Sequence, residues 1–468
     1  MAKVLIATTE LIPSLPYPAV GGGQRAFSLG EGLRSRGHEV IYSLPMEHLR
    51  NKEGIPPDIL QLAHSMTDID AIVGQASPDV VIFTTAYLMR FYSACSVPAV
   101  LDLAANIELE ATFTPGANPA DVLMGRLDQY SKADLFILGS PRQIPWFSAF
   151  WMLAGLDLKE ELYTVVPICC SPDLPPIPER RELSFISAGM FYPWQNPFDA
   201  LQEVLSVLDD ARSGELVIYT GKHPTWAEIH SSLIDPRSRL GESEMLDVRG
   251  LLPFDKVVSE WGKCACAVDV MKPNLERRLA NPMRTTTYLW LGIPVIISDF
   301  YWISELVKSY DAGWLVDPLE KGAVKKAVQE ILRDPDVLRQ RAANAQRLVA
   351  ENLTWDRCVE GLDAFCRSPR KLRKSTSLVA TVASEVARMS AEQVAAAKEL
   401  GRVQEKLEVL REKADRAAEE LKERNSEVKY LRGRIEAILN SRTWRTVQFV
   451  KHKLLRIKQR ESRGQRES

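Results

Sequence analysis

Short apolar runs alternate with amphipathic helical stretches along roughly the first 350 residues, and they do so in two successive blocks. That rhythm limits the chain to few architectures. The first block opens KVLIATTE, an apolar run of strand length. A loop with Pro13, Pro16 and Pro18 follows, then the glycine-rich text Gly21, Gly22, Gly23, Gln24. RAFSLGEGLRSRGHEV reads as a helix ending at Gly37, and EVIYSLP as a second strand. Strand, glycine loop, helix and strand make one βαβ unit. Further strands are expected at 79–85, 97–104 and 133–140. The stretch SPDLPPIPERRE at 171–182 reads as a linker. A second block then alternates in the same way, with strands LSFISAG, ELVIYTG, LDVRG, CAVDVM, IPVIIS and WLVDP between helical stretches. The expected fold class is therefore α/β. Two doubly wound domains span 1–172 and 183–352, each with a parallel sheet. In such sheets ligands sit beyond the carboxyl ends of the strands, and here also between the domains.

Residues 368–377 read as a second linker, and from there the pattern changes. Positions 379, 382, 386, 389, 393, 396, 400, 403, 407, 410, 414, 417, 421, 424, 428, 431, 435 and 438 alternate spacings of three and four. Of these, only Gln393 and Arg424 are not apolar. So regular a seam predicts an α-helical coiled coil over 378–440, roughly 90 Å long at ~1.5 Å per residue. The tail at 441–468 has nine Lys/Arg against two Glu, about +7, while the whole chain carries −2. Trp444, Val447, Val450, Leu454 and Ile457 share one helical face there, with bases beside it. A basic amphipathic helix of this kind suits an anionic membrane surface through residues 441–460.

The near-neutral total gives no case for nucleic acid. Seven cysteines, an odd number, do not make a disulfide framework and are expected as free thiols in a reducing cytoplasm. The first residues are too short an apolar run for a signal segment, and no run reaches the ~20 residues of a membrane span.

Candidate chemistry gathers at strand ends. Gly21, Gly22, Gly23 and Gln24 let backbone N–H groups approach an anion. In the second block, strands end at Gly189 and at Gly221, the latter followed by Lys222 and His223; a third leads into Lys272, Glu276, Arg277 and Arg278. Arg284 precedes an apolar helix, with Thr285 or Thr286 as its expected cap and Thr287 next. Positive charge and bare N–H groups beside strand ends suit a diphosphate, and Glu276 can accept from ribose hydroxyls. In the first block Asp102, Arg142 and Gln143 follow strands and are acceptor-side candidates, whereas His38 sits at a helix-to-strand turn and reads as structural.

These phrases together carry a resemblance. GGGQRAFSLGEGLRSRGHEV, DLFILGSPRQ, AGMFYPWQNPFDAL, YTGKHP, RTTTYLWLGIPVI and AGWLVDP resemble the family-4 group of GT-B glycosyltransferases over about residues 1–367. The stretch 353–367, with TWDRCVEGLDAF, resembles the terminal helix that crosses back to the first domain in that fold. FYPWQNP and the SRTWR after the heptads resemble a branch found in bacterial surface-polysaccharide biosynthesis. The resemblance implies two Rossmann-like domains, acceptor side first and donor side second, and transfer of a sugar from a nucleotide-sugar donor to a glycan or lipid-linked acceptor. It also implies retaining chemistry, no bound metal and no other cofactor.

The chain departs from the family pattern in two places. The family carries two glutamates with seven residues between them, the second five before the helix-ending glycine. Here Glu276 keeps one at altered spacing, and Thr287 stands at the other's place. The basic pair after the first glycine of the second domain is missing from GMFYPWQNP, which leaves Lys222, Lys272 or Arg284 to hold the diphosphate. Glu276 and Asp102 are the expected catalytic groups. Gly21, Gly22, Gly23, Gln24, Gly189, Lys222, His223, Lys272, Arg284, Thr285, Thr286 and Thr287 are the expected donor-binding groups. The reading is a cytoplasmic glycosyltransferase, peripheral at the inner membrane face. It is a homo-oligomer through its coiled coil or docks other polysaccharide enzymes. An inactive GT-B scaffold and a nucleotide-sugar epimerase are the alternatives.

Overall fold

A computed structural model describes residues 1–93, 96–179, 182–226, 233–372, 374–375 and 377–464. The chain divides into two compact units, 1–391 and 392–468. In the first unit, strands β1 (Lys3–Ala7), β2 (Glu39–Ser43), β3 (Val80–Phe83), β4 (Ala99–Asp102), β5 (Leu135–Leu138) and β6 (Tyr163–Val165) form one parallel sheet, ordered β2-β1-β3-β4-β5-β6. Strands β7 (Glu182–Ala188), β8 (Glu215–Tyr219), β9 (Leu246–Arg249), β10 (Cys264–Asp269), β11 (Val295–Ser298) and β12 (Gly313–Val316) form a second, ordered β12-β11-β10-β7-β8-β9. Helices cover both faces of such sheets, so the strands are apolar throughout; VVIF, LFIL and VIIS are buried at every position. The strand order reverses between β1 and β3 in one sheet and between β7 and β10 in the other. Those crevices are where doubly wound sheets bind ligands.

Two local expectations are corrected. The glycines do not form a loop: the helix Gly21–Ser35 begins at Gly21, with Val20 as an extended N-cap. A Cβ on Gly23 would lie 1.9 Å from the Leu11 carbonyl oxygen, so the backbone of the incoming loop packs directly on this turn. The threonines do not cap: the helix Met283–Trp290 starts earlier, with Pro282 as extended N-cap and no side-chain cap. Thr285, Thr286 and Thr287 are instead buried within it.

Two chain segments join the domains and run side by side. Cys170 N–H donates to the Leu353 carbonyl at 2.9 Å, and Trp355 N–H to the Cys170 carbonyl at 2.9 Å. The helices Trp355–Cys358 and Glu360–Arg367 then pack on the first domain. His38 Nδ1 accepts from the Ala2 N–H at 3.2 Å, which leaves its Nε2–H to donate to Asp363 at 2.7 Å. His38 thus ties the start of β1 to the returning chain. The stretch 368–377, expected as a linker, is fastened to the first domain. Buried Asp134 accepts from the Leu372 N–H at 3.1 Å and pairs with Lys371 at 2.9 Å.

Beyond lie one long helix, Leu378–Asn440, and a second, Arg442–Gly464. Ser441 Oγ accepts from the Trp444 N–H at 3.1 Å and starts the latter. In the second unit the heptad residues Leu400, Leu410 and Leu421 are at least 60% exposed. Arg180, Arg181 and Arg466 lie outside the described residues. No described helix is long and apolar enough to cross a membrane.

Candidate functional site

The crevice beyond β7 and β10 is built around Gly189. Its φ of 121° lies where side chains are strained, and a Cβ there would lie 3.1 Å from Arg284 Nη1. Arg284 is the second residue of the Met283–Trp290 helix, whose first N–H groups have no side-chain cap. Its Nη2 donates to Gln195 Oε1, from the loop after β7. Its Nη1 is buried and has no partner among the described residues. A cationic donor left open at a helix start, beside bare glycine backbone, is suited to an oxyanion. The same loop stacks Tyr192 on Trp194, with centroids 4.7 Å apart and planes 7° apart.

The threonines have separate tasks. Thr285 Oγ1 donates to Asp269 at the end of β10. Thr286 Oγ1 is buried without a described partner. Thr287 Oγ1 donates to the Met283 carbonyl at 3.4 Å and lines an apolar pocket with Gln24, Phe27, Cys170 and Trp290. Glu276 is 1% exposed and ion-paired with its neighbour Arg277, at 2.6 Å between Nη2 and Oε1. Lys222 is exposed, and Lys272 reaches Asp199 at the surface, 2.9 Å away.

The first domain forms the facing wall. Gly21 comes close to the second domain: a Cβ on it would lie 3.9 Å from Met283 Sδ. Asp102 does not stand free for an acceptor. Its two oxygens take Arg25 Nε at 3.0 Å and Nη2 at 3.2 Å, and Arg25 also donates to the Pro167 and Val166 carbonyls. Gln143 is buried and accepts from the Gly139 N–H at 2.7 Å, and Arg142 reaches across to the Phe300 carbonyl and Glu305.

Glu10, just after β1, joins the domains. It accepts from Thr225 Oγ1 at 2.9 Å and Trp226 Nε1 at 2.8 Å, and His223 Nε2 lies 3.6 Å away. His223 Nδ1 accepts from the N–H groups of Thr225 and Trp226, at 3.3 and 3.2 Å. Trp226 inserts its ring against His48 and Tyr87 of the first domain, at 5.1 and 5.9 Å. Burial pushes the Glu10 carboxyl up from 4.5 to about 7, against the opposing effect of the Thr225 and Trp226 hydrogen bonds. The folded chain then holds this proton more tightly than the unfolded chain. Stability from Glu10 is full below about pH 4.5 and falls as pH rises through 7. Glu10→Gln keeps the Trp226 bond, and the Thr225 hydroxyl can turn to accept. The variant is expected to gain thermal stability over the native chain at pH 8 and to match it at pH 5, measured by melting scans at both.

Residues 282–349, the stretch holding Arg284 and the three threonines, match the family model of glycosyl transferases group 1. The structure superposes on sucrose-phosphate synthase from Thermosynechococcus elongatus with a TM-score of 0.57, at 13% identity over 78% of this chain and 98% of that one. It superposes on HepE from Anabaena, solved in complex with UDP and glucose, with a TM-score of 0.55, at 14% identity over 79% of this chain and all of that one. WaaG, a glycosyltransferase involved in lipopolysaccharide biosynthesis, gives 0.51 at 12% identity, over 78% of this chain and all of that one. No curated protein sequence matches.

The fold is GT-B. In GT-B terms the Gly189–Arg284 crevice lies in the second domain, while Glu10 belongs to the first. Sequence reading missed Glu10, Gln195 and Asp269. Of these, Glu10 in KVLIATTE carried one usable signal, a carboxylate just past the first strand.

Proposed function

We propose that the protein transfers a sugar from a nucleotide-sugar donor to a glycan or lipid-linked acceptor in cell-surface polysaccharide synthesis. One observation carries this: the Arg284 guanidinium, with a buried unpartnered Nη1, lies against the positive-φ backbone of Gly189 at the strand-order switch of the second sheet. A donor diphosphate placed there takes the Arg284 N–H and the bare N–H groups of the Met283–Trp290 helix. As the bond from the sugar's C1 to the diphosphate breaks, the acceptor hydroxyl bonds C1 and its proton leaves with the diphosphate. The guanidinium stabilises the charge that builds on the leaving oxygen. In this reading Arg284 takes the part of the missing basic pair, and the reaction is retaining with no metal. Glu276, ion-paired with Arg277, accepts from donor hydroxyls; Gly21 to Gln24 close the facing side. The bound ligands of HepE and the pathway named for WaaG support the donor and acceptor classes.

Thr287 in place of a carboxylate favours a second reading, a GT-B scaffold without turnover. Incubation of the full chain with UDP-, GDP- and dTDP-sugars and a lipid-linked acceptor extract separates the two. Nucleotide release supports transfer, and donor binding without release supports the scaffold.

In the same proposal the exposed heptad face pairs with a second copy, and residues 441–460 lie on an anionic membrane from the cytoplasmic side. Sedimentation of the native chain is expected to give a multiple of 52.5 kDa, and Leu407→Glu with Leu410→Glu to give 52.5 kDa itself. A native monomer at micromolar concentration would remove the pairing.

A further inference from the structure

We propose that Glu110, reaching from the first domain, reads a hydroxyl of the transferred sugar opposite Glu276. This rests on the donor-site reading above. The helix Ile107–Glu110 of the first domain packs on the helix Leu275–Leu279 of the second, which carries Glu276 and Arg277. The start of the first-domain helix is fixed from within, because Asn106 Oδ1 accepts from buried Gln143 Nε2 at 3.0 Å. Its other acid, Glu108, has Oε1 held by the Tyr130 hydroxyl at 2.5 Å and by Arg126 at 3.5 Å, while its Oε2 is buried without a described partner. Glu110 is different: it is half-buried, and no described side chain hydrogen-bonds its carboxyl. The charged and titratable groups around it are Glu108 on its own helix, Arg126 on the helix Pro119–Lys132, Glu276 and Arg277 across the interface, and Tyr192 from the loop after β7. Asn274, the N-cap of the Leu275–Leu279 helix, donates to the Trp194 carbonyl at 2.9 Å, in the same loop whose Gln195 holds Arg284, so the helix that carries Glu110 packs beside the Gly189–Arg284 crevice.

The surroundings also set its form. Burial, then the Glu276 charge, raises the Glu110 carboxyl to about 8 against the opposing charge of Arg277. At pH 7 it carries its proton. Glu276, beside Arg277, is the acceptor of the pair, and Glu110 offers an O–H donor and a carbonyl acceptor. A neutral carboxyl can both donate to a sugar hydroxyl and accept from one, which a carboxylate cannot. A bare nucleotide has its ribose hydroxyls but lacks those of the transferred sugar. Glu110 should therefore affect the sugar and leave the nucleotide alone.

The test is calorimetry on the full chain with UDP, UDP-glucose, UDP-galactose, UDP-N-acetylglucosamine, GDP and GDP-mannose. The quantity read is the preference for the best nucleotide sugar over its own nucleotide. Glu110→Ala is expected to lower that preference about tenfold with nucleotide affinity unchanged. Glu110→Gln, an isostere of the neutral acid, is expected to keep it and to guard against a folding defect in the Ala variant. Raising the pH from 7 to 9 should lower the preference in the native chain and not in the Gln variant. Nucleotide bound, with the preference equal in the native chain and Glu110→Ala, overturns this inference and leaves the donor site standing. No nucleotide bound by the native chain overturns both.

Discussion

Arg284→Ala is expected to weaken nucleotide-sugar binding by about 1–3 kcal/mol, the usual loss for a hydrogen bond to a charged group. The size follows from where the guanidinium sits. It is the second residue of a helix whose first turn has no side-chain cap, and Nη1 lies buried against Gly189 with no described partner. Such a group is costly to bury unless a ligand completes it. Removing it should therefore cost binding more than folding. Arg284→Lys keeps the charge but loses the planar fork, and should fall between the two. Calorimetry with the preferred donor reads the effect. Unchanged affinity in a folded Arg284→Ala variant would take Arg284 out of the account and leave the exposed Lys222 and the surface-paired Lys272 as the remaining basic candidates.

Asp102→Ala is expected to destabilise the first domain by about 3–5 kcal/mol, because it strips the partner from a buried charge. Arg25 is 3% exposed and donates to both Asp102 oxygens and to the carbonyls of Pro167 and Val166. Those carbonyls lie where the chain leaves β6 for the second domain. The pair thus fixes the first long helix, the end of β4 and the exit segment at one point. Urea unfolding followed by tryptophan fluorescence should show an earlier transition for Asp102→Ala, and a folded fraction that still binds donor. A variant of native stability that bound donor but had lost sugar transfer would instead return Asp102 to the acceptor side.

The strands were legible because a parallel sheet covered on both faces leaves uninterrupted apolar runs such as VVIF and LFIL. The glycine text misled because Gly21, Gly22 and Gly23 have poor helix propensity, yet Gly23 is needed inside the helix where the Leu11 carbonyl approaches. A threonine cap is what the sequence suggests, because Thr caps well, but Pro282 already gives the extended backbone that an N-cap requires. Site residues that act through distant partners left little trace. Arg25 meets Asp102 across 77 positions, and Glu10 meets Trp226 across 216. Gly189 and Arg284 were each singled out in the sequence, but their contact comes from packing of the Met283–Trp290 helix beside β7 and β10. The segment 368–377 read as a linker because its text is basic and polar. The buried carboxylate that holds it, Asp134, lies more than 200 residues earlier.

The most direct test of the central claim is calorimetric titration of the purified full chain with UDP-, GDP- and dTDP-sugars, alongside Arg284→Ala. The account predicts one donor class bound by the native chain, and an affinity about 5- to 150-fold lower in the variant. A folded native chain that binds none of them would contradict it.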